Sequence, residues 1–156
     1  MSEAQAVSPI VTASDWDPQK RILRTALKGP VSTADVAAWK DGLARAVGGI
    51  SAGSDFGLLL DLVGYEPADL GAHKAMRTVI PELLASHGMR PAFLDLFEDA
   101  PEVPVSVENG IRCVAFANAH HDKDKMAGYT QRIGRNEQRF FTDVDEAYAW
   151  IQKFLE

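Results

Sequence analysis

The chain has 156 residues, 46% of them hydrophobic and 24% charged, and carries a formal net charge of -6 at pH 7. That length supplies one domain with a core needing no disulfide or metal staple, and the mixed composition excludes a disordered or coiled-coil chain. The acidic balance argues against nucleic acid or an anionic membrane surface as the main partner, because both require clustered Lys and Arg to displace counterions.

Residues 1–6 read as a flexible tail ahead of one domain spanning 7–156. They show no basic region followed by an apolar core, so no secretory signal is expected, and no apolar segment approaches a membrane span in length. The expectation is a soluble cytoplasmic protein without integral membrane association. The single cysteine, Cys113, lies within an apolar run and reads as a buried structural thiol.

Residues 7–14 are rich in β-branched side chains, and residues 21–28 alternate in strand fashion. Asp15-Trp16-Asp17-Pro18-Gln19 between them is turn chemistry, which predicts an antiparallel hairpin at a sheet edge, ended by Gly29-Pro30. Ser32 with Asp35 three residues on is a capping box, and Val36, Trp39, Leu43 and Val47 recur at helical spacing. Gly48-Gly49 should stop that helix through the left-handed conformation open to glycine. The run Phe-Gly-Leu-Leu-Leu-Asp-Leu at 56–62 is apolar at nearly every position, as expected of a central strand covered on both faces.

Pro67-Ala68-Asp69 should open a second helix with Ala72, Met76, Val79, Ile80 and Leu83 on its inner face. Pro81 predicts a kink or a fresh helix start, with the end at Gly88. Residues 89–109 form an irregular insertion, in which 92–97 reads equally as a short helix or a strand. Residues 111–118, Ile-Arg-Cys-Val-Ala-Phe-Ala-Asn, form a second buried strand, followed by the polar stretch 120–125 and a helix carrying Met126, Tyr129 and Ile133 as far as Gly134. A short strand at 138–141 leads to a last helix capped by Thr142 or Asp143, with Val144, Ala147, Tyr148, Ile151 and Leu155 as its apolar stripe. Strands alternating with helices predict one α/β domain: a mainly parallel sheet with an antiparallel edge hairpin and helices on both faces.

Three stretches together carry a family resemblance: the hairpin and helix before Leu-Leu-Leu-Asp-Leu, the strand Ile-Arg-Cys-Val-Ala-Phe, and the ending Gln-Arg-Phe-Phe-Thr-Asp-Val-Asp-Glu-Ala-Tyr-Ala-Trp-Ile. The chain resembles the SpoIIAA-like group of bacterial proteins, related to STAS and Sec14-like domains, over most of its length outside 89–109. The resemblance implies a regulatory or binding module without an established reaction. STAS antagonists of anti-sigma factors carry a phosphorylatable serine at the start of the helix after the central strand. Here residues 63–69, Val-Gly-Tyr-Glu-Pro-Ala-Asp, hold neither serine nor threonine, so the acceptor for that charge switch is missing.

In a parallel sheet the segments after the two buried strands emerge at one edge. Asp61, Tyr65 and Glu66 are therefore expected to face His120, His121 and Asp122 across one crevice, as a ligand or partner site. Histidine beside a carboxylate suits general base or metal-ligand chemistry, yet adjacent histidines on a strand point to opposite faces, and the spacing is no metal signature. No cofactor or metal is assigned. A separate apolar cavity is expected beneath Met76, Ile80, Phe93 and Phe97. The leading expectation is a non-enzymatic regulatory or binding module, acting on a protein partner or a small ligand. The alternatives are a small enzyme or metal-binding protein using His120 or His121 with Asp61 or Glu66, and a carrier of a small apolar ligand or lipid. Trp150 and Phe154 at the C-terminal end suit core packing or a homodimer contact.

Overall fold

In the computed structural model, which describes residues 9–92 and 103–156, the chain opens with β1 (Val11–Asp17) paired antiparallel to β2 (Ile22–Val31). The hairpin turn is later than its residue types suggest: Asp15, Trp16 and Asp17 stay in β1, and the Asp17 carboxylate accepts the Gln19 and Lys20 N–H groups at 3.0 and 3.1 Å. Trp16 is held there because its ring packs edge-on against Phe56, with centroids 6.3 Å apart. Residues 7 and 8 of the expected strand lie outside the described residues. β2 runs through Gly29-Pro30 instead of ending there. The Gly29 N–H and the Val31 carbonyl bond toward the third-strand side, so the proline ring between them occupies a position whose amide would point the other way.

Helix α1 (Thr33–Val47) carries the capping box in full, with Ser32 and Asp35 each accepting from the other's N–H. It stops at Gly48 with φ -60°, so the left-handed cap expected of the glycine pair does not form. β3 (Asp55–Leu62) follows, then a jog at Gly64, whose φ of +89° favours glycine. The jog delivers a short strand that the sequence did not signal, β4 (Tyr65–Pro67), which pairs with the far end of β2. Asp69 caps helix α2 (Leu70–Ser86). α2 runs through Pro81 without a new start and closes on His87, with Gly88 at φ +83°. His87 Nδ1 donates to the Leu83 carbonyl at 2.7 Å, so this ring belongs to the end of its own helix.

A single turn at Glu108–Gly110 precedes β5 (Arg112–His120); α3 (Lys123–Ile133), β6 (Gln138–Phe141) and α4 (Val144–Phe154) complete the fold. Asp143 is the cap of α4, accepting from Asp145 and Glu146. The order across the sheet is β1-β2-β3-β5-β6, parallel except for the first pair, which makes β3 central. The α/β class read from the sequence holds.

Alternation along β3 divides the core. Phe56, Leu58, Leu60 and Leu62 pack with α1 and α2, whereas Leu59 packs with Ala147 and Ile151 of α4. Gly57 points toward α4 as well, where an added Cβ would lie 2.6 Å from Ile151 Cγ2. On the α1 side, buried Trp39 donates its indole N–H to Thr25 Oγ1 at 2.6 Å, and that hydroxyl also shares a hydrogen bond with Ser14 at 2.7 Å. One threonine thus joins β1, β2 and α1.

Two consequences are measurable by denaturant unfolding. Thr25→Val strands the buried Trp39 N–H and is expected to cost about 1–3 kcal/mol, whereas Thr25→Ser retains most of that stability; equal losses in the two variants would deny the hydrogen bond its role. Gly57→Ala is expected to cost about 1–3 kcal/mol through overpacking. In the Ile151→Ala background the same change should cost much less, and strict additivity would contradict the contact.

Candidate functional site

The β3–β5 pairing decides which side chains meet above the sheet. Phe56 pairs with Cys113 and Gly57 with Ala115, so Val114 is an extra residue that shifts the alternation of everything after it. Phe116, Asn118 and His120 consequently face the same side as Leu60 and Leu62. There they floor a cavity of about 250 Å³ between α2 and α3. Met76, Ile80 and Pro81 form its α2 wall; Met126, Tyr129 and Phe140 close the α3 side. Met126, Phe140 and Ala92 form a small cluster of their own, with Tyr129 packed on it and its ring edge-on to Phe140. The chain near Ala92 is fastened to β6 by the buried Gln138 amide, which accepts from the Ala92 N–H and donates to the Arg90 carbonyl.

The polar lining is neutral to basic. Tyr65, His73, Arg77 and Lys125 reach the cavity along with Asn118 and His120, and among the described residues no carboxylate lines it. Tyr65 Oη lies 3.5 Å from His73 Nδ1. Burial raises the Tyr65 and Tyr129 phenols above their ordinary range, so both hydroxyls stay protonated donors. Burial lowers His73, with Arg77 and Lys125 acting in the same direction. His120, 8% exposed, is pushed down to about 4 by burial first, then by Lys125 and His121; Asp122 opposes them as the smallest contribution.

Of the residues expected in the crevice, Tyr65 and His120 line the cavity. His120 is the last strand residue, and its Nδ1 accepts the Asp122 N–H at 3.0 Å. His121 lies beyond the strand, so the two rings do not diverge as adjacent strand residues would: they stack, with centroids 4.3 Å apart and planes 22° apart. The Gly64 N–H donates to His121 Nδ1 at 3.0 Å, tying the end of β5 to the jog after β3. Both histidines thereby carry their neutral proton on Nε2. Asp122 is the exposed cap of α3, accepting from Lys125 N–H.

Asp61 does not join them. It pairs with Ala119 in register, faces the α4 side, and holds Lys28 Nζ at 2.9 Å while accepting the Val63 N–H. Glu66 is exposed in β4, on the opposite side of that strand from Tyr65, and does not line the cavity. The pairing of histidine with Asp61 or Glu66 is therefore not assembled, and among the described residues no group of three or more His, Cys, Asp or Glu is placed to hold a metal ion. Met76 and Ile80 of the expected apolar cavity line the observed one, while Phe93 and Phe97 lie outside the described residues. His73, Asn118 and Tyr129 were missed. The helical spacing of His73, Met76, Arg77 and Ile80 was the available signal for the first, whereas Asn118 becomes visible only once the bulge is known. Cys113 is buried, its thiol pushed up to about 12 by desolvation, as a structural cysteine should be.

Trp150 and Phe154 form an aromatic ladder with Phe141, in which Phe141 and Trp150 pack against the α4-side core and Phe154 is 41% exposed. Among the described residues no helix is long and apolar enough to cross a membrane. No family model, curated protein or solved structure matches the chain.

The depressed His120 gives a pH signature. Above the ordinary value of 6.5 folded and unfolded chains both hold a neutral ring; as pH falls the unfolded chain takes up its proton first, so stability drops between about 6.5 and 4 and levels off below. Thermal unfolding at pH 7 and 4.5 should show a loss larger in the wild type than in His120→Gln by on the order of 1–2 kcal/mol, the remainder including the similarly lowered His73. An equal pH slope in the variant would remove the assignment.

Proposed function

We propose that this protein is a non-enzymatic binding module of the SpoIIAA-like kind, which holds a small amphipathic anion in the cavity between α2 and α3. The observation that carries the reading is the lining as the described residues form it: an apolar body continuous with the core, polar groups gathered on His73, His120, Lys125 and the tyrosines, and no acid among those described residues. Pockets of this make-up orient a ligand with a few polar contacts while burying its hydrocarbon. A volume of about 250 Å³ suits a molecule smaller than drug-sized.

The resemblance supports a binding role, and a departure from it narrows that role. The mainly parallel sheet with an antiparallel edge hairpin is the architecture it implies, and the start of α2, Asp69-Leu70-Gly71-Ala72, offers no hydroxyl for a phosphorylation switch. Response to a small molecule replaces response to a kinase in this reading. An acid–base role is less well supported, because both histidine Nδ1 atoms are already engaged by backbone N–H groups and the candidate carboxylates sit elsewhere.

Calorimetric titration with octanoate, octanol and octylammonium tests the proposal, since the three share one tail. Octanoate should bind about tenfold more tightly than octylammonium, a difference of about 1.4 kcal/mol. Lys125→Gln should weaken octanoate about threefold and leave octanol unchanged. No binding by any of them, or a preference for the ammonium, would reject the reading.

A further inference from the structure

The partners of the four histidines decide what each ring can do with a proton. His87 Nδ1 donates to the Leu83 carbonyl, and its ring lies in the core edge-on to Phe56. His120 and His121 accept the Asp122 and Gly64 N–H groups at Nδ1. A backbone N–H only donates, so a proton on either Nδ1 would break the bond. His73 alone has Nδ1 opposite a hydroxyl, Tyr65 Oη at 3.5 Å. A phenol both donates and accepts, so it can donate to the neutral imidazole and accept from the charged one. His73 therefore changes protonation state without losing its partner.

Among the described residues the charges acting on it have one sign. His73 lies near the start of α2, half-buried, and lines the cavity. Those charges are Arg77, one helical turn further along α2, and Lys125 from α3. Tyr65 of β4 and Tyr129 of α3 are neutral phenols, and His120 of β5, with His121 stacked on it, is neutral at pH 7. The carboxylates at the starts of the two helices are engaged as caps, Asp69 by the Ala72 N–H and Asp122 by the Lys125 N–H. Glu66 stands exposed on the far side of β4 from Tyr65. Burial and the two cations thus disfavour a proton on His73. A carboxylate lodged beside Lys125 supplies the opposite charge and favours the imidazolium.

Resting on the reading of the cavity as an anion-binding ligand site, we infer that filling it is coupled to proton uptake at His73. As the anion settles near Lys125, the imidazole takes one proton from solvent at Nδ1 and donates it to Tyr65 Oη, whose own O–H rotates away. The ring keeps its hydrogen bond, and by linkage the affinity for the anion rises as pH falls. The same concentration of an amphipathic carboxylate then fills the site further in mildly acidic than in neutral solution.

Calorimetric titration of the full chain with octanoate and octanol at about pH 7.5 and about pH 6 reads the coupling, since a carboxylate stays ionised across this range. Octanoate should bind about threefold more tightly at the lower pH and take up about half a proton there, as a rise of about one pKa unit on binding requires. The uptake is measured from the heats in two buffers of different protonation enthalpy. Octanol should show neither effect. The His73 ring signal, followed by nuclear magnetic resonance, should titrate at higher pH with octanoate bound. His73→Gln and His73→Asn, each checked for a native circular dichroism spectrum, should bind octanoate without pH dependence, whereas His120→Gln should retain it. Equal octanoate affinity at the two pH values, or an unchanged pH dependence in the His73 variants, overturns the coupling and leaves the cavity reading in place. If octanoate binds at neither pH, the cavity reading falls and the coupling with it.

Discussion

The pairing of β3 with β5, including the single extra residue at Val114, governs everything that happens above and below the sheet. Side chains along a strand alternate between faces, so a one-residue slip would exchange the two sets completely. With the bulge in place, Phe116, Asn118 and His120 face α2 and α3, and Ala115, Ala117 and Ala119 face α4. The small residues are where they are needed. α4 lies close on the sheet over Gly57, Ala117 and Ala119, and Ile151 occupies the space a side chain at 57 would require. Moving Phe116 and His120 to that face would place two rings where alanines now allow the helix to approach, so the packing of α4 and the composition of the cavity are set by the same register.

The winding of the sheet gives the cavity its location. Strand order runs in one direction from β2 through β3 and β5 to β6, and crossovers of one hand then put α1, α2 and α3 on the same face, leaving the other to α4. Among the described strands there is no reversal in this order, hence no switch-point crevice between them of the kind that open α/β sheets use for ligands. The opening arises instead between two neighbouring helices. α2 packs on the core shared with α1, α3 packs on Phe140 of β6, and the floor between them is left to Asn118 and His120.

Much of the local structure was legible because it depends on local chemistry. The capping box at Ser32 and Asp35, the Asp143 cap and the alternation in β2 concern atoms a few residues apart. Tyr65 and His120 were placed at one edge by topology alone, and Met76 and Ile80 by helical spacing. What failed depended on partners distant in sequence. Trp16 extends β1 because Phe56 receives it, and Pro30 is accepted because β2 bonds to β4 through Gly29 and Val31. Asp61 went to the wrong face in the sequence reading because proximity along the sheet edge was considered and strand parity was not. The bulge itself left no trace, since residues 113–117 around it are apolar on both faces and an added residue breaks no visible pattern.

The stacked histidines are best understood as fasteners with a chemical by-product. A backbone N–H can only donate, so bonds from Asp122 and Gly64 fix Nδ1 of His120 and His121 as acceptors and leave the proton on Nε2. In this state His120 brings to the cavity a neutral ring that cannot accept a proton at Nδ1 without breaking the bond that shapes the start of α3. Its low proton affinity follows from that burial and from Lys125 beside it. The same features that make it a poor base near neutral pH suit it to donate to an anion, in company with phenols that burial keeps protonated. The hydrogen bonding of the histidine pair thus fixes the shape of this sheet edge, and on the reading proposed above His120 serves an anion site from there.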